Sequence, residues 1–398
     1  MAVVALHLSS RSASLFHEKY SDGWWVLKWI NLLTNFCVPL FLLVSAIVLA
    51  RSVSGRRASL PEASPGGGAP AKDRRLPAGY GASPTHPEEG KEHNRQGGIL
   101  GLESPSHTKP VSTSPPASPN WRRFAVRRFR SVVLPLLAWS VIYWLLRIFV
   151  QHDPRVTAPG YWFDAKGRLM DLAFGKAEFH LYFLSVLAQL CIILPFFVIL
   201  FRRVRLNIWA VLSIAIVLQA AAFAIQKAVV FQYPGSTVFW YLSTVIPGIW
   251  VGINRPRTTA PFWIVMAVLA VAGFAVFGYE SRLDILSQHP NGTLMNAASS
   301  AYALGMPFLI VGLFTIWTKG AEPLRAIVKG MGGLSIQIYL MHPILLQWLS
   351  RSWRLEVFKA LPLPSLSFFL VTLFGTYGIA LLLDRVPYVN QVLFGRQR

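Results

Sequence analysis

Three histidines, His7, His180 and His342, lie at or within apolar runs of this sequence. A neutral imidazole is the least costly titratable side chain to bury and the natural general base near neutral pH. Each also has a structural reading. A lone buried imidazole commonly serves as a hydrogen-bonding residue of the core, and His342, followed by Pro343, would bond a backbone that the proline breaks. At His180, next but one to Glu178, interfacial capping competes with substrate contact. Three such histidines in one bundle favour a site. A second stretch with chemical potential is Arg122-Arg123-Phe124-Ala125-Val126-Arg127-Arg128-Phe129-Arg130. Guanidinium groups at a membrane surface grip phosphates by paired, charge-assisted hydrogen bonds, as a phosphate-rich cosubstrate requires. The same arginines, read simply, stop a hydrophobic helix during insertion and hold its foot in the cytoplasm.

The elements that must position these residues are membrane helices. Of 398 residues 54% are hydrophobic and only 14% charged, with 14 Trp and 26 Phe, more apolar surface than a soluble domain hides. The net charge of +21 comes from basic residues between apolar runs. It therefore reads as positive-inside bias and attraction to anionic membrane lipid, not as a nucleic-acid surface. Cys37 and Cys191 each lie in an apolar run, which supports neither a disulfide framework nor a metal site.

Apolar runs predict helices over 29–50, 131–150, 179–201, 207–225, 238–253, 261–279, 299–318, 332–350 and 365–384. A short stretch around Ala5-Leu6-His7-Leu8 falls well below the roughly 20 residues a span needs, so the first helix is expected to be cut short. The fold class is an all-α integral membrane bundle of about ten transmembrane helices. Its parts are a truncated first helix, outer loop and second helix over 1–50, a Pro/Gly/Ser-rich cytoplasmic insert expected to be disordered over 51–120, and the remaining bundle over 121–398. His86, His93 and His107 lie at irregular spacing in that insert and read as solvated loop residues. With the arginines inside, both termini are cytoplasmic and most of the 38 Lys and Arg lie on that side. No acid falls inside a predicted span; Glu178, Glu280 and Asp384 sit at edges. Asn291-Gly292-Thr293 fits a glycosylation acceptor on the outer side.

In this order the motifs resemble the membrane acyltransferase-3 family, polytopic enzymes that O-acylate cell-surface carbohydrates. Ala5-Leu6-His7 is similar to the end of the family's first-helix motif, and Val38-Pro39-Leu40-Phe41-Leu42-Leu43-Val44-Ser45 to its second-helix pattern, with Ala46 where Gly is usual. Arg127-Arg128-Phe129-Arg130, followed by Leu134-Pro135 and Ala138-Trp139-Ser140-Val141-Ile142-Tyr143, resembles the basic doorstep and third helix. Phe179-His180-Leu181-Tyr182-Phe183-Leu184 has Tyr182 in place of Trp, and Ile338-Tyr339-Leu340-Met341-His342-Pro343 matches the penultimate helix. The family's arginine ahead of the first-helix histidine has no counterpart before His7, and the long insert is not typical.

The resemblance implies transfer of an acetyl or other short acyl group from acyl-CoA to a hydroxyl of a cell-envelope carbohydrate, in the plasma (inner) membrane. It makes His7 the catalytic base or acyl relay, and Arg127, Arg128 and Arg130 the grip on the donor's phosphates. His180, Tyr182, Glu178, His342 and Tyr339 then line an acceptor site or pocket. Acetyl-CoA is expected as cosubstrate, with no permanently bound cofactor and no metal. Two other readings stand beside it: an exporter or flippase of a lipid-linked sugar or small solute, and an inactive, truncated member of the family. Proton-coupled carriers usually keep acids within the bundle, which the predicted spans do not. The oligomeric state is left open by the sequence.

Overall fold

A computed structural model describes residues 2–15, 20–54, 120–229, 231–317, 329–352 and 362–396. The expected disordered insert lies almost wholly outside them. Met1–Gly55 and Pro119–Arg398 form one compact unit. Its described elements are helices throughout: α1 (Ala2–Leu15), α2 (Asp22–Val53), α3 (Trp121–Phe149), α4 (Tyr182–Arg203), α5 (Ile208–Ala228), α6 (Val238–Asn254), α7 (Ala260–Ile285), α8 (Gly292–Trp317), α9 (Ser335–Ser352), α10 (Pro362–Leu383) and α11 (Pro387–Phe394). Every predicted helix has its counterpart. Seven of them, α2, α3, α4, α5, α7, α8 and α10, are long and apolar enough to cross a bilayer. The chain is an integral membrane protein. α6 is too short for that criterion, while α9 interrupts its apolar run with Gln337, His342 and Gln347.

Helix ends differ from the predicted ones wherever polar residues join an apolar run. α2 starts seven residues early because Ser21 caps it, its side chain accepting from Trp24 N at 3.4 Å. It tightens into a 3₁₀ turn at Thr34–Phe36, just where Pro39 removes the N–H that the Asn35 carbonyl would have used. α7 runs on to Ile285 and takes in Glu280, which corrects the expectation that this acid sits at an edge. Glu280 is buried, and its carboxylate accepts from Asn291 N at 2.7 Å. Asn291 in turn caps α8, its Oδ1 accepting from the Thr293 and Leu294 amides at 3.1 Å each.

Close helix approaches rest on small residues, as in membrane bundles generally. A Cβ on Gly273 would come within 2.7 Å of Tyr302 N across the α7–α8 contact, and one on Gly252 within 2.6 Å of the Ile47 carbonyl across α2–α6. The central core joins Leu42 of α2, Tyr143 of α3, Leu184, Leu190 and Leu194 of α4, Ile246 and Ile249 of α6 and Leu340 of α9. α11 folds back on α3: Leu393 O accepts from Trp139 Nε1 at 2.8 Å. Within α3, Phe129–Val133 forms a π turn at the arginine foot, a feature that recurs at functional sites.

Candidate active site

The site begins with a broken helix. Pro343 has no N–H, so the Tyr339 carbonyl one turn back in α9 loses its helical donor. The His342 ring supplies the replacement, its Nδ1 lying 2.7 Å from Tyr339 O and 3.3 Å from Ile338 O. A carbonyl only accepts, so Nδ1 carries the proton and Nε2 is left as a bare acceptor. That nitrogen is buried and has no hydrogen-bond partner among the described residues. The structural reading of His342 therefore holds for one ring nitrogen, and the other is free for chemistry.

His180 arrives from a different direction, in the turn ahead of α4. A short helix, Ala165–Ala173, ends at Gly175, whose φ of +62° lies in the left-handed region and whose Cβ, if present, would sit 2.5 Å from the Leu181 carbonyl. Only glycine lets the chain turn so tightly beneath His180. The turn is pinned further by Tyr339 Oη, which donates to the His180 carbonyl. The ring is fully buried, and neither nitrogen has a well-aligned partner among the described residues. The neighbouring Leu340 carbonyl already accepts from Tyr143 Oη at 2.8 Å.

His7 comes from α1, which buries Val3, Val4 and Leu8 and is tied to α2 by Asn31 Nδ2 donating to the Leu6 carbonyl at 2.8 Å. Its ring stacks on His342 with centroids 5.3 Å apart at 21°, and meets Phe179 edge-on at 4.6 Å. His180 and His342 are 5.8 Å apart, with Tyr143 at 5.0 Å and Tyr339 at 5.5 Å from His180. Three histidines from three distant segments thus share one aromatic chamber. Their rings meet by faces and edges, and no group of three metal-binding side chains among the described residues is placed to hold an ion.

The other predicted residues divide. Tyr339 lines the chamber. Glu178 stands one residue back from Phe179, whose amide donates to it at 3.3 Å; burial pushes its carboxyl above the ordinary range, with the Phe179 amide and the Arg147 charge opposing that shift. Tyr182 does not join the histidines. It turns to a second, polar pocket of about 110 Å³, shared with Asn35, Tyr241, Ser243, Ser299 and Ser300. Sequence reasoning missed this pocket and also the chamber residues Tyr143 and Phe179. Their only signal was position: Tyr143 lies six residues before the end of its span, and Phe179 adjoins a candidate histidine.

The arginine foot has two faces. Arg122, Arg123, Arg127 and Arg130 surround an open cavity of about 450 Å³ with Asn120 and Val126. Arg128, one residue on and so rotated by about 100°, points away from it, half-buried with its guanidinium 5.3 Å from the Phe124 ring. The structure brings Arg127 and Arg130 together and separates Arg128 from them. From position 130 to position 143 the helix rises roughly 20 Å at 1.5 Å per residue.

A helical membrane bundle that gathers three imidazoles in one aromatic cluster, with a cluster of arginines at one helix foot, is laid out as an integral membrane enzyme. The family model described as an acyltransferase domain, Acyl_transf_3, matches residues 101–385. The chain belongs to this acyltransferase-3 family and is a multi-pass membrane acyltransferase. The matched stretch contains His180, His342 and the arginine foot; His7 precedes it and is brought to the site by α1. No curated protein and no solved structure matches the chain.

Proposed function

We propose that the chamber is the acyl-transfer site, moving an acetyl or other short acyl group from acyl-CoA to a hydroxyl of a cell-envelope carbohydrate. The observation that carries this reading is the convergence of His7, His180 and His342, each with a structural alternative taken alone, into one aromatic cluster in which His180 and His342 are buried and His7 is half-buried. On this reading the donor's phosphates rest on Arg127 and Arg130, with Arg122 and Arg123 beside them, on the cytoplasmic side of the plasma membrane, and both termini face the cytoplasm. The donor's pantetheine arm runs along α3 from Arg130 towards Tyr143 and brings the thioester to the histidines.

His7 takes the proton of the acceptor hydroxyl. The hydroxyl oxygen attacks the thioester carbonyl, the carbon–sulfur bond breaks, and the coenzyme thiolate leaves with the proton that His7 returns. A neutral imidazole always carries one N–H; that of His180 lies near the Leu340 carbonyl without a well-aligned acceptor among the described residues, and on this reading it turns to the oxyanion of the tetrahedral intermediate. His342, fixed by its bond to Tyr339, holds the His7 ring by stacking. The polar pocket at Tyr182, with the side chains of Asn35, Ser299 and Ser300 on its wall, suits a sugar's hydroxyl groups. The test is acyl transfer from radiolabelled acetyl-CoA in membranes expressing the chain, beside His7→Ala. Label in a glycan fraction that vanishes in the variant is the expected result; no label from the unaltered chain overturns the proposal.

A further inference from the structure

The face of α3 opposite the arginine basin has no part in the proposed acyl transfer, yet it carries a second, larger cavity. A groove of about 570 Å³ runs between the foot of α3 and the middle of α4, walled by Phe124, Val132, Ala188, Ile192 and Pro195 with Arg128 at its side. The surroundings are lipid-facing. Ile192 is 76% exposed and Phe129 54%, on helices long and apolar enough to cross the bilayer. Whatever fills the groove enters from within the membrane.

Its polar groups are the informative part. Arg128 makes no hydrogen bond or ion pair with any described residue; its Nε is buried without a partner, and its one contact of note is the Phe124 ring. A guanidinium in an apolar groove is a strong demand for an anion, and its planar fork matches a phosphate. On α4, Pro195 lacks the N–H that would bond the Cys191 carbonyl, which removes that carbonyl's helical donor at the groove wall. The complement is a molecule with a long apolar tail and a phosphate that carries net negative charge.

We propose that this groove binds one anionic glycerophospholipid, its phosphate on Arg128 and an acyl chain laid along Val132 and Ile192. The basin around Arg127 and Arg130 is open and lacks apolar walls of this extent, so headgroup and tail are read together only at Arg128.

The test is native mass spectrometry of the purified full chain with dioleoyl-phosphatidylglycerol or dioleoyl-phosphatidylcholine added at equal concentration, a comparison that needs no variant. One retained phosphatidylglycerol, held about tenfold more strongly than phosphatidylcholine, is expected, because the choline cation of phosphatidylcholine offsets the phosphate charge that Arg128 would otherwise meet, and one charge-assisted contact is worth about that factor. Arg128→Gln and Ala188→Trp, which remove the charge and fill the groove, should each abolish that preference, Arg128→Lys should keep most of it, and Arg127→Gln should keep all of it. Equal retention of both lipids overturns the proposal. So does a preference lost in Arg127→Gln but kept in Arg128→Gln, which would assign the lipid to the basin. Displacement of the lipid by acetyl-CoA would assign the groove to the donor and overturn it likewise.

Discussion

His342→Ala should cost stability and activity for two separable reasons. The stability cost arises from Pro343. Without the imidazole, the buried Tyr339 carbonyl has neither its helical donor nor the Nδ1–H now 2.7 Å away, and an orphaned buried acceptor costs about 1–3 kcal/mol. Loss of a fully buried ring's packing raises the total to about 2–4 kcal/mol. Pro343→Ala restores the backbone N–H that closes the turn onto Tyr339. In that background His342→Ala should lose only the packing part, giving a coupling of about 1–2 kcal/mol in a double-mutant cycle. Thermal unfolding of the four proteins in one detergent reads this as a few degrees recovered in apparent Tm. Activity should behave differently: both proteins lacking His342 stay at least about tenfold slow in acyl transfer, because Nε2 and the stacking face against His7 are gone. Equal costs of His342→Ala with and without Pro343 would refute the hydrogen-bond argument. Recovery of activity along with stability in the double variant would refute a role for the ring in the chamber.

Other perturbations test the same geometry. Gly175→Ala forces a side chain into a left-handed position and against the Leu181 carbonyl; it should destabilise by about 1–3 kcal/mol, displace His180, and lower acyl transfer more than it lowers the Tm. Arg127→Gln with Arg130→Gln should raise the KM for acyl-CoA severalfold, flatten its salt dependence and leave kcat nearly unchanged; an unaltered KM would remove the basin from donor binding. Asp153 accepts two hydrogen bonds from Arg147, and that partner holds its carboxyl below the usual range. A depressed carboxyl stabilises the fold above its unfolded value of about 3.9 and loses that contribution as pH falls through the folded one. Asp153→Asn should therefore destabilise the fold at pH 7, by less than about 1 kcal/mol for a pair about a fifth exposed, and the deficit should shrink as the pH falls below the unfolded value. A deficit that grows on acidification would contradict the sign.

Local arithmetic made part of this site legible in the sequence. The apolar runs place the helices, and the pair His342-Pro343 already implies an imidazole bonding a freed carbonyl, because proline always orphans the acceptor four residues back. Helix phase is the property that periodicity conceals. The π turn at Phe129–Val133 holds an additional residue, and an added residue rotates the rest of the helix by about 100°. The same rotation per residue sends neighbouring Arg127 and Arg128 to different cavities. Tyr182 leaves the histidines for similar reasons: two residues past His180, at the start of α4, it faces α6 and α8. The burial of Glu280 was hidden because an acid near a helix end reads as a boundary until its partner, the Asn291 amide, is located in space. The meeting of positions 7, 180 and 342 depends on how α1, α9 and the turn before α4 pack, which no local pattern contains.

The most direct measurement is the rate of coenzyme A release from acetyl-CoA by purified His7→Ala and unaltered protein, each supplied with the glycan fraction that takes up the label, with and without added imidazole. If His7 is the base of the chamber, the variant should retain its fold and donor KM, lose about 10²–10⁴ in rate, and regain part of that rate as free imidazole occupies the vacated space beside His342. A variant that turns over at the normal rate, with or without imidazole, would contradict the assignment of the three-histidine chamber as the acyl-transfer site.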